Sequence, residues 1–182
     1  PVPGWQGLVT VDAVNGYVGA ADRFEWSLLG KRELYIPYNN ARFFDPDIGY
    51  EDLAEPQYPR RDLIRYELHR VWVVEGRVRP ETRHVLPRRV FYVDEDTWQI
   101  VVVDGYDARG SLWRVQETLP QLLYEIPSCV NNGTIFYDLV AGRYVVSPAM
   151  NEEEEADYLA GREGRVTDTE FSPDDLRRLG KR

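Results

Sequence analysis

Apolar and polar residues alternate with a period of two through the middle of this chain, the pattern of half-buried strands rather than helices. Residues 64–78, IRYELHRVWVVEGRV, predict one long strand. Residues 84–93, 98–106 and 111–119 predict three more, and 134–140 and 143–147 a later pair. The intervening residues have turn chemistry. Arg79-Pro80-Glu81-Thr82 is a short connection and Asp94-Glu95-Asp96-Thr97 a polar loop. Asp107-Ala108-Arg109-Gly110 ends in glycine, as a hairpin loop should, and Ala141-Gly142 joins the last pair. Short connections force neighbouring strands to be antiparallel, so the expected architecture is a curved antiparallel meander of at least six strands. Residues 24–38 predict a further strand, with Gly30 marking a bulge. Residues 39–61 hold three prolines and read as a long loop with one helical turn. Ser172-Pro173-Asp174-Asp175 is a helix start: a serine cap, a first-turn proline, and acids facing the dipole. The chain reads as one mainly β domain with little helix. Residues 1–61 form its leading strand and loop, 62–147 its meander, and 148–182 a polar tail with a short terminal helix.

The turn lengths suggest a register. With Pro80-Glu81 as a two-residue loop and the next two loops of four residues each, one cross-sheet row is Leu68, Val93, Trp98, Leu119. The following rows are Arg70, Phe91, Ile100, Glu117; then Trp72, Arg89, Val102, Val115; then Val74, Pro87, Asp104, Trp113. On that face Trp72, Phe91, Trp98, Ile100, Val102, Trp113 and Val115 form a continuous apolar surface. Arg89 lies there with Asp104 and Glu117, so a structural ion pair from Arg89 to one of them is expected. The opposite face is also rich in valine. A sheet apolar on both faces must be covered twice, and little helix is available to do it. The expected cover is therefore a ligand, a partner, or the rest of the same protein.

Composition narrows the function. The chain has 182 residues and a net charge of −9, which disfavours phosphate backbones and hence nucleic acid. No apolar run approaches the length of a membrane-spanning helix. A single cysteine, Cys129, excludes an internal disulfide and reads as a small semi-buried thiol. The chain opens at Pro1 without a basic and then apolar leader, so either a leader was removed or this is a fragment. The sequence contains neither G-x-S-x-G nor H-E-x-x-H, and Gly30-Lys31 lacks the upstream glycine of a phosphate loop. His69 and His84 fall far apart along the ladder, which argues against a shared metal. Asp94-Glu95-Asp96 lacks calcium-loop spacing and reads as a solvated hairpin tip. Glu152 to Glu155 read as a solvated run. Asn132-Gly133-Thr134 fits a glycosylation acceptor and equally an Asn-Gly turn. No catalytic residue, metal or cofactor is expected.

Several segments resemble one family together. GKRELYIPYNN (30–40), RYELHRVWVVEG (65–76), RRVFYVDEDTWQIVVVDGYDARGSLWRV (88–115), YDLVAGRY (137–144) and the ending FSPDDLRRLGKR are similar, in order and spacing, to the bacterial domain-of-unknown-function 1329 family. The resemblance implies an exported Gram-negative protein, periplasmic or associated with the outer membrane. It implies a fold like the LolA/LolB lipoprotein carriers, an incomplete antiparallel barrel whose concave side holds acyl chains. It implies no enzyme activity, and partners among outer-membrane proteins or inner-membrane lipid transporters. Family members are usually longer, so this chain looks like a C-terminal portion. The expected function is a non-enzymatic carrier or chaperone for a lipid or other hydrophobic molecule, with the seven apolar residues above as its lining. The alternative is an interaction module that docks an outer-membrane protein or lipid transporter without enclosing a ligand.

Overall fold

The computed structural model describes residues 5, 7–153, 157–159 and 168–180. Seven strands lie in chain order in one sheet, each antiparallel to the next. They are β1 (Phe24–Pro37), β2 (Tyr66–Val78), β3 (Arg88–Asp94), β4 (Ile100–Tyr106), β5 (Leu112–Leu123), β6 (Ser128–Asp138) and β7 (Arg143–Ser147). Helix is confined to single 3₁₀ turns, a one-turn α1 (Tyr50–Leu53) and α2 (Pro173–Leu179). The Ser172 side chain caps α2 by accepting from the Asp175 N–H at 3.2 Å, as its sequence predicts. Gly30 adopts φ 103° where the β1–β2 register shifts, which is the expected bulge.

The sheet is open but strongly rolled. Just beyond the end of β1, the Asn40 N–H donates to the Pro120 carbonyl of β5 at 2.8 Å. Those strands are separated by three others, so the sheet must curl to bring them together. Ile36, Val71, Val73, Val90 and Val101 pack together on the inner side of the curl.

Three hairpins depart from the expected register, the β4–β5 hairpin by an even slip that sets Val102 opposite Glu117 instead of Val115. Trp72 faces Val93 and Gly76 faces Arg89, four residues along from the expected pairing of Trp72 with Arg89. The cause lies in the connection. The His84 ring accepts from the Leu86 N–H at 3.0 Å, so β3 begins at Arg88 rather than at residue 84. A slip of four is even and keeps every side chain on its face. The next hairpin is different. A bulge between Tyr92 and Val93 sets Phe91 opposite Val103 and Arg89 opposite Gly105. That odd slip sends Val102 and Asp104 to the inner face, away from Phe91 and Arg89.

Each face is covered in part from within the chain, while Leu28, Tyr35 and Leu68 on the outer face of β1–β2 stay exposed. Leu8, Val9 and Ala13 pack on Phe136, with Trp5 and Val145 beside them. Tyr17 meets Phe24, Trp26 and Phe91 edge-on, with centroids 5.5–5.9 Å apart. Residues 7–23 thus run across part of the outer face. Residues 38–64 cover the inner face of β5–β7, where Phe43, Leu53, Leu63 and Ile64 pack on Leu119 and Ile135.

One buried charge anchors the outer cover. Arg89 is 1% exposed, and its Nη2 donates to Asp12 Oδ2 at 2.6 Å. The guanidinium carbon stands 5.3 Å from the Phe24 ring centroid and 5.7 Å from that of Tyr17. This corrects the expected pairing of Arg89 with Asp104 or Glu117. Asp104 instead accepts from the Tyr92 hydroxyl at 3.0 Å, and Glu117 from Tyr66 and Tyr137 at 3.1 and 2.9 Å. Burial opposes ionisation of Asp12. Hydrogen bonds from His84 and Arg89 outweigh it and hold the carboxyl well below the usual carboxylate range.

Removing Asp12 leaves the guanidinium buried and unpaired. Asp12→Ala is expected to lower stability by about 3–5 kcal/mol in urea denaturation. Because the folded carboxyl is the more acidic, its contribution is complete above the unfolded value of about 4 and falls away as pH drops toward the folded value. Asp12→Asn should therefore flatten the acid side of the stability curve. An Asp12→Ala midpoint equal to wild type would show Arg89 hydrated instead of paired.

Candidate functional site

An open concavity lies where the β5–β6 hairpin projects beyond the rest of the sheet. The ladder bulges there, with a register shift between Thr118 and Pro120 that sets Asn132 and Gly133 opposite Leu119. The hairpin then continues through Gln121, Leu122 and Leu123 and returns from Ser128. The loop after β1 is tied to it on one side. Asn39, at φ 50°, accepts from the Leu122 N–H at 3.4 Å and donates to the Tyr124 hydroxyl at 3.1 Å. The segment after β7 is tied in from the other side. Buried Asn151 donates to the Phe43 and Asp45 carbonyls at 2.8 and 3.2 Å. Glu152 accepts from the Tyr50 N–H at 2.7 Å. Glu152 and Glu153 are both exposed, so the start of the acidic run is solvated and also held by this contact, while Glu154 and Glu155 lie outside the described residues.

These walls enclose an open cleft of about 840 Å³. Its apolar lining includes Phe44, Leu122, Leu123, Met150, Tyr158 and Leu159. Glu125, Glu153 and Asp157 also line it, and no Lys or Arg does so among the described residues. Gly133 makes the packing possible. A Cβ there would stand 2.9 Å from both the Phe44 ring and the Pro148 carbonyl oxygen. Asn132-Gly133-Thr134 is consequently strand, inside β6, and not a turn.

The seven residues expected to share one face are divided. Trp72 is half-buried beneath the Lys31 ammonium, which stands 4.1 Å from the ring centroid. Phe91 is sealed under Tyr17 and Trp26. Ile100 presses on Gly16, whose φ of 84° and lack of a side chain allow the contact. Trp98 takes φ 58° in the β3–β4 turn and is 69% exposed. Trp113 sits beside a register shift, with Nε1 donating to Asp138 at 3.0 Å. Val102 and Val115 pair with Glu117 and Asp104 on the inner face.

The Asp94-Glu95-Asp96 turn is not simply a solvated tip. Asp94 is fully buried, and Glu95 grips Arg70 and Lys31 at 2.6 and 2.7 Å. Cys129 is semi-buried, and burial pushes its thiol up. Sequence reasoning missed the cleft because its wall residues carry no common period. The one legible signal was Leu122-Leu123, apolar residues that continue past Pro120.

Fold and site together define an open, rolled antiparallel sheet with a cleft at the end of one long hairpin. The chain belongs to the family described as Protein of unknown function (DUF1329), whose family model matches residues 1–177. It is 41% identical over 179 residues to Uncharacterized protein PA3922 of Pseudomonas aeruginosa, a match covering 97% of this chain and 38% of that protein. It is similar to the crystal structure of a DUF1329 family protein from Desulfovibrio piger, with 12% identity and a TM-score of 0.45 over 85% of this chain and 48% of that one. It is also similar to a Vibrio parahaemolyticus domain described as outer membrane lipoprotein-sorting, with 9% identity and a TM-score of 0.41 over the same shares. The chain thus spans less than half the length of each of these proteins. No helix among the described residues is long and apolar enough to cross a membrane.

Gly133→Ala forces the Phe44 ring and the backbone at Pro148 apart. Thermal unfolding should show a loss of about 1–3 kcal/mol. An unchanged midpoint would show that the cleft wall yields freely.

Proposed function

We propose that this chain is a non-enzymatic carrier of a hydrophobic molecule and that the cleft beside the β5–β6 hairpin is its binding surface. The observation that supports the reading is the cleft itself. Its volume of about 840 Å³ falls within the range of small-molecule sites, and its walls are tied by backbone and buried side-chain hydrogen bonds. Burying an acyl chain there gains about 0.8 kcal/mol per CH₂, so affinity needs no catalytic group. The seven residues expected from sequence are not used in this reading, because the register scatters them. On the strength of the family resemblance, we set the protein in the periplasm or at the outer membrane. The chain's net charge of −9 favours a ligand whose head group is uncharged or cationic.

The test is calorimetric titration with monoacylglycerols and fatty acids of increasing chain length. Affinity should rise by roughly fourfold per CH₂ until the cleft is filled. At neutral pH the monoacylglycerol should bind more tightly than the fatty acid of equal length. Leu122→Asp combined with Met150→Asp should abolish binding while the circular dichroism stays that of the wild type. Absence of binding at any chain length, with an intact fold, would overturn the carrier reading.

One observation favours a second reading, the interaction module. β1 is a 14-residue strand at the sheet edge, with Leu28 and Tyr35 64% and 67% exposed. Such an edge is a template for strand addition by a partner. A lipid-independent complex abolished by Leu28→Pro would support it.

A further inference from the structure

Two carboxylates converge on one imidazole nitrogen where β2 meets the β3–β4 turn. His69 Nδ1 lies 2.9 Å from Asp94 Oδ1 and 3.5 Å from Asp96 Oδ2. One N–H proton serves the nearer oxygen and leaves Asp96 without a hydrogen bond to the ring. The Asp94 side chain is 0% exposed, and its second oxygen accepts from the Thr97 N–H at 3.0 Å and the Thr97 hydroxyl at 2.7 Å. A buried carboxylate calls for a cation. The nearby Arg70 and Lys31 are both engaged by Glu95. Among the described residues, His69 is the only basic side chain within ion-pair distance of Asp94.

We propose that His69 Nδ1, Asp94 Oδ1 and Asp96 Oδ2 form a binding site for a divalent transition ion, with Zn²⁺ the best match. Donors held about 2.0–2.1 Å from an ion stand roughly 2.8–3.4 Å apart at octahedral to tetrahedral angles. Of the two separations from His69, 2.9 Å falls within that range and 3.5 Å just beyond it, and one ligand atom from each of the three residues lies within 4.8 Å of the other two. One imidazole nitrogen with two carboxylate oxygens suits a borderline ion better than calcium, which takes six or more oxygens. The surroundings hold the donors in place. His69 Nε2 faces Glu67 Oε2 at 3.8 Å, the side from which carboxylates orient metal-binding imidazoles. The Tyr38 ring stacks on His69 with centroids 4.3 Å apart, and Thr97 fixes Asp94. Asp96, 75% exposed, faces solvent and leaves room for water to complete the coordination. The ion would join β2 to the β3–β4 turn and neutralise Asp94. This site is separate from the cleft and does not depend on the carrier reading.

The experiment is calorimetric titration of ZnCl₂ into chelator-treated protein at neutral pH, with a thermal melt at each end point. One saturable site and a raised Tm are expected. Asp96→Asn should weaken binding by more than about tenfold and remove the Tm rise. Because Asp96 is exposed, that variant keeps the wild-type circular dichroism. His69→Gln should behave like Asp96→Asn, and Asp47→Asn, at an exposed carboxylate elsewhere, like wild type. Absence of a one-to-one site overturns the proposal, and so does binding of equal strength in Asp96→Asn and wild type.

Discussion

Strands with valine on both sides cannot leave either face of their sheet in water, and this chain has almost no helix to cover them. The rest of the structure answers that constraint. Residues 7–23 cross part of the outer face and residues 38–64 cover the inner face of β5–β7, each as an extended segment with short helical turns. Extended covers bury few side chains per residue, so they need anchors. The outer cover has Asp12 on Arg89, and Arg114 donating to the Gly7 and Leu8 carbonyls at 2.8 Å. The inner cover has the buried Asn40 side chain, which accepts from the Arg65 N–H at 2.8 Å. Glycine appears where a cover passes closest to the sheet, at Gly16 over Ile100 and at Gly133 under Phe44.

The cleft follows from the same arrangement. The β5–β6 hairpin outruns the other strands, and the inner cover is tied to its far end only through Asn39. Segments 39–46 and 148–153 brace the hairpin from two sides without closing over it. The outcome is an apolar recess next to a rigid scaffold, where a ligand can be held at little ordering cost. The metal-type cluster of His69, Asp94 and Asp96 stands at the β3–β4 turn, outside the cleft lining. Its geometry therefore arises from turn chemistry and not from the cleft.

Much of the fold was legible from period and punctuation. The strand positions in the meander, the bulge at Gly30 and the cap at Ser172 all followed from local chemistry. Register was legible only as far as loop length could be read. The β2–β3 slip came from a side-chain turn at His84, which resembled strand. The β3–β4 slip came from a bulge, which has no signature when the bulged run, IVVV, is uniformly apolar. That single odd slip separated Arg89 from Asp104 and dispersed the expected aromatic surface. The expectation that Arg89 needs a buried carboxylate was sound. Its partner, Asp12, lay 77 residues away in a segment without periodicity. The extended β5–β6 hairpin was hidden because Pro120 and Asn132-Gly133 look like stops. In the fold, Pro120 stays in the ladder opposite Asn131, and Asn132-Gly133 is both the bulge and the close approach.

The central claim is that the chain covers part of its own sheet and leaves the β5–β6 recess for a hydrophobic ligand. Hydrogen exchange with and without a saturating long-chain monoacylglycerol tests it most directly. The account predicts slowed exchange at the backbone amides of 121–125 and 148–153. It also predicts unchanged exchange around Trp72 and Trp98. Protection centred on Trp72 and Trp98, with none in the hairpin, would contradict it.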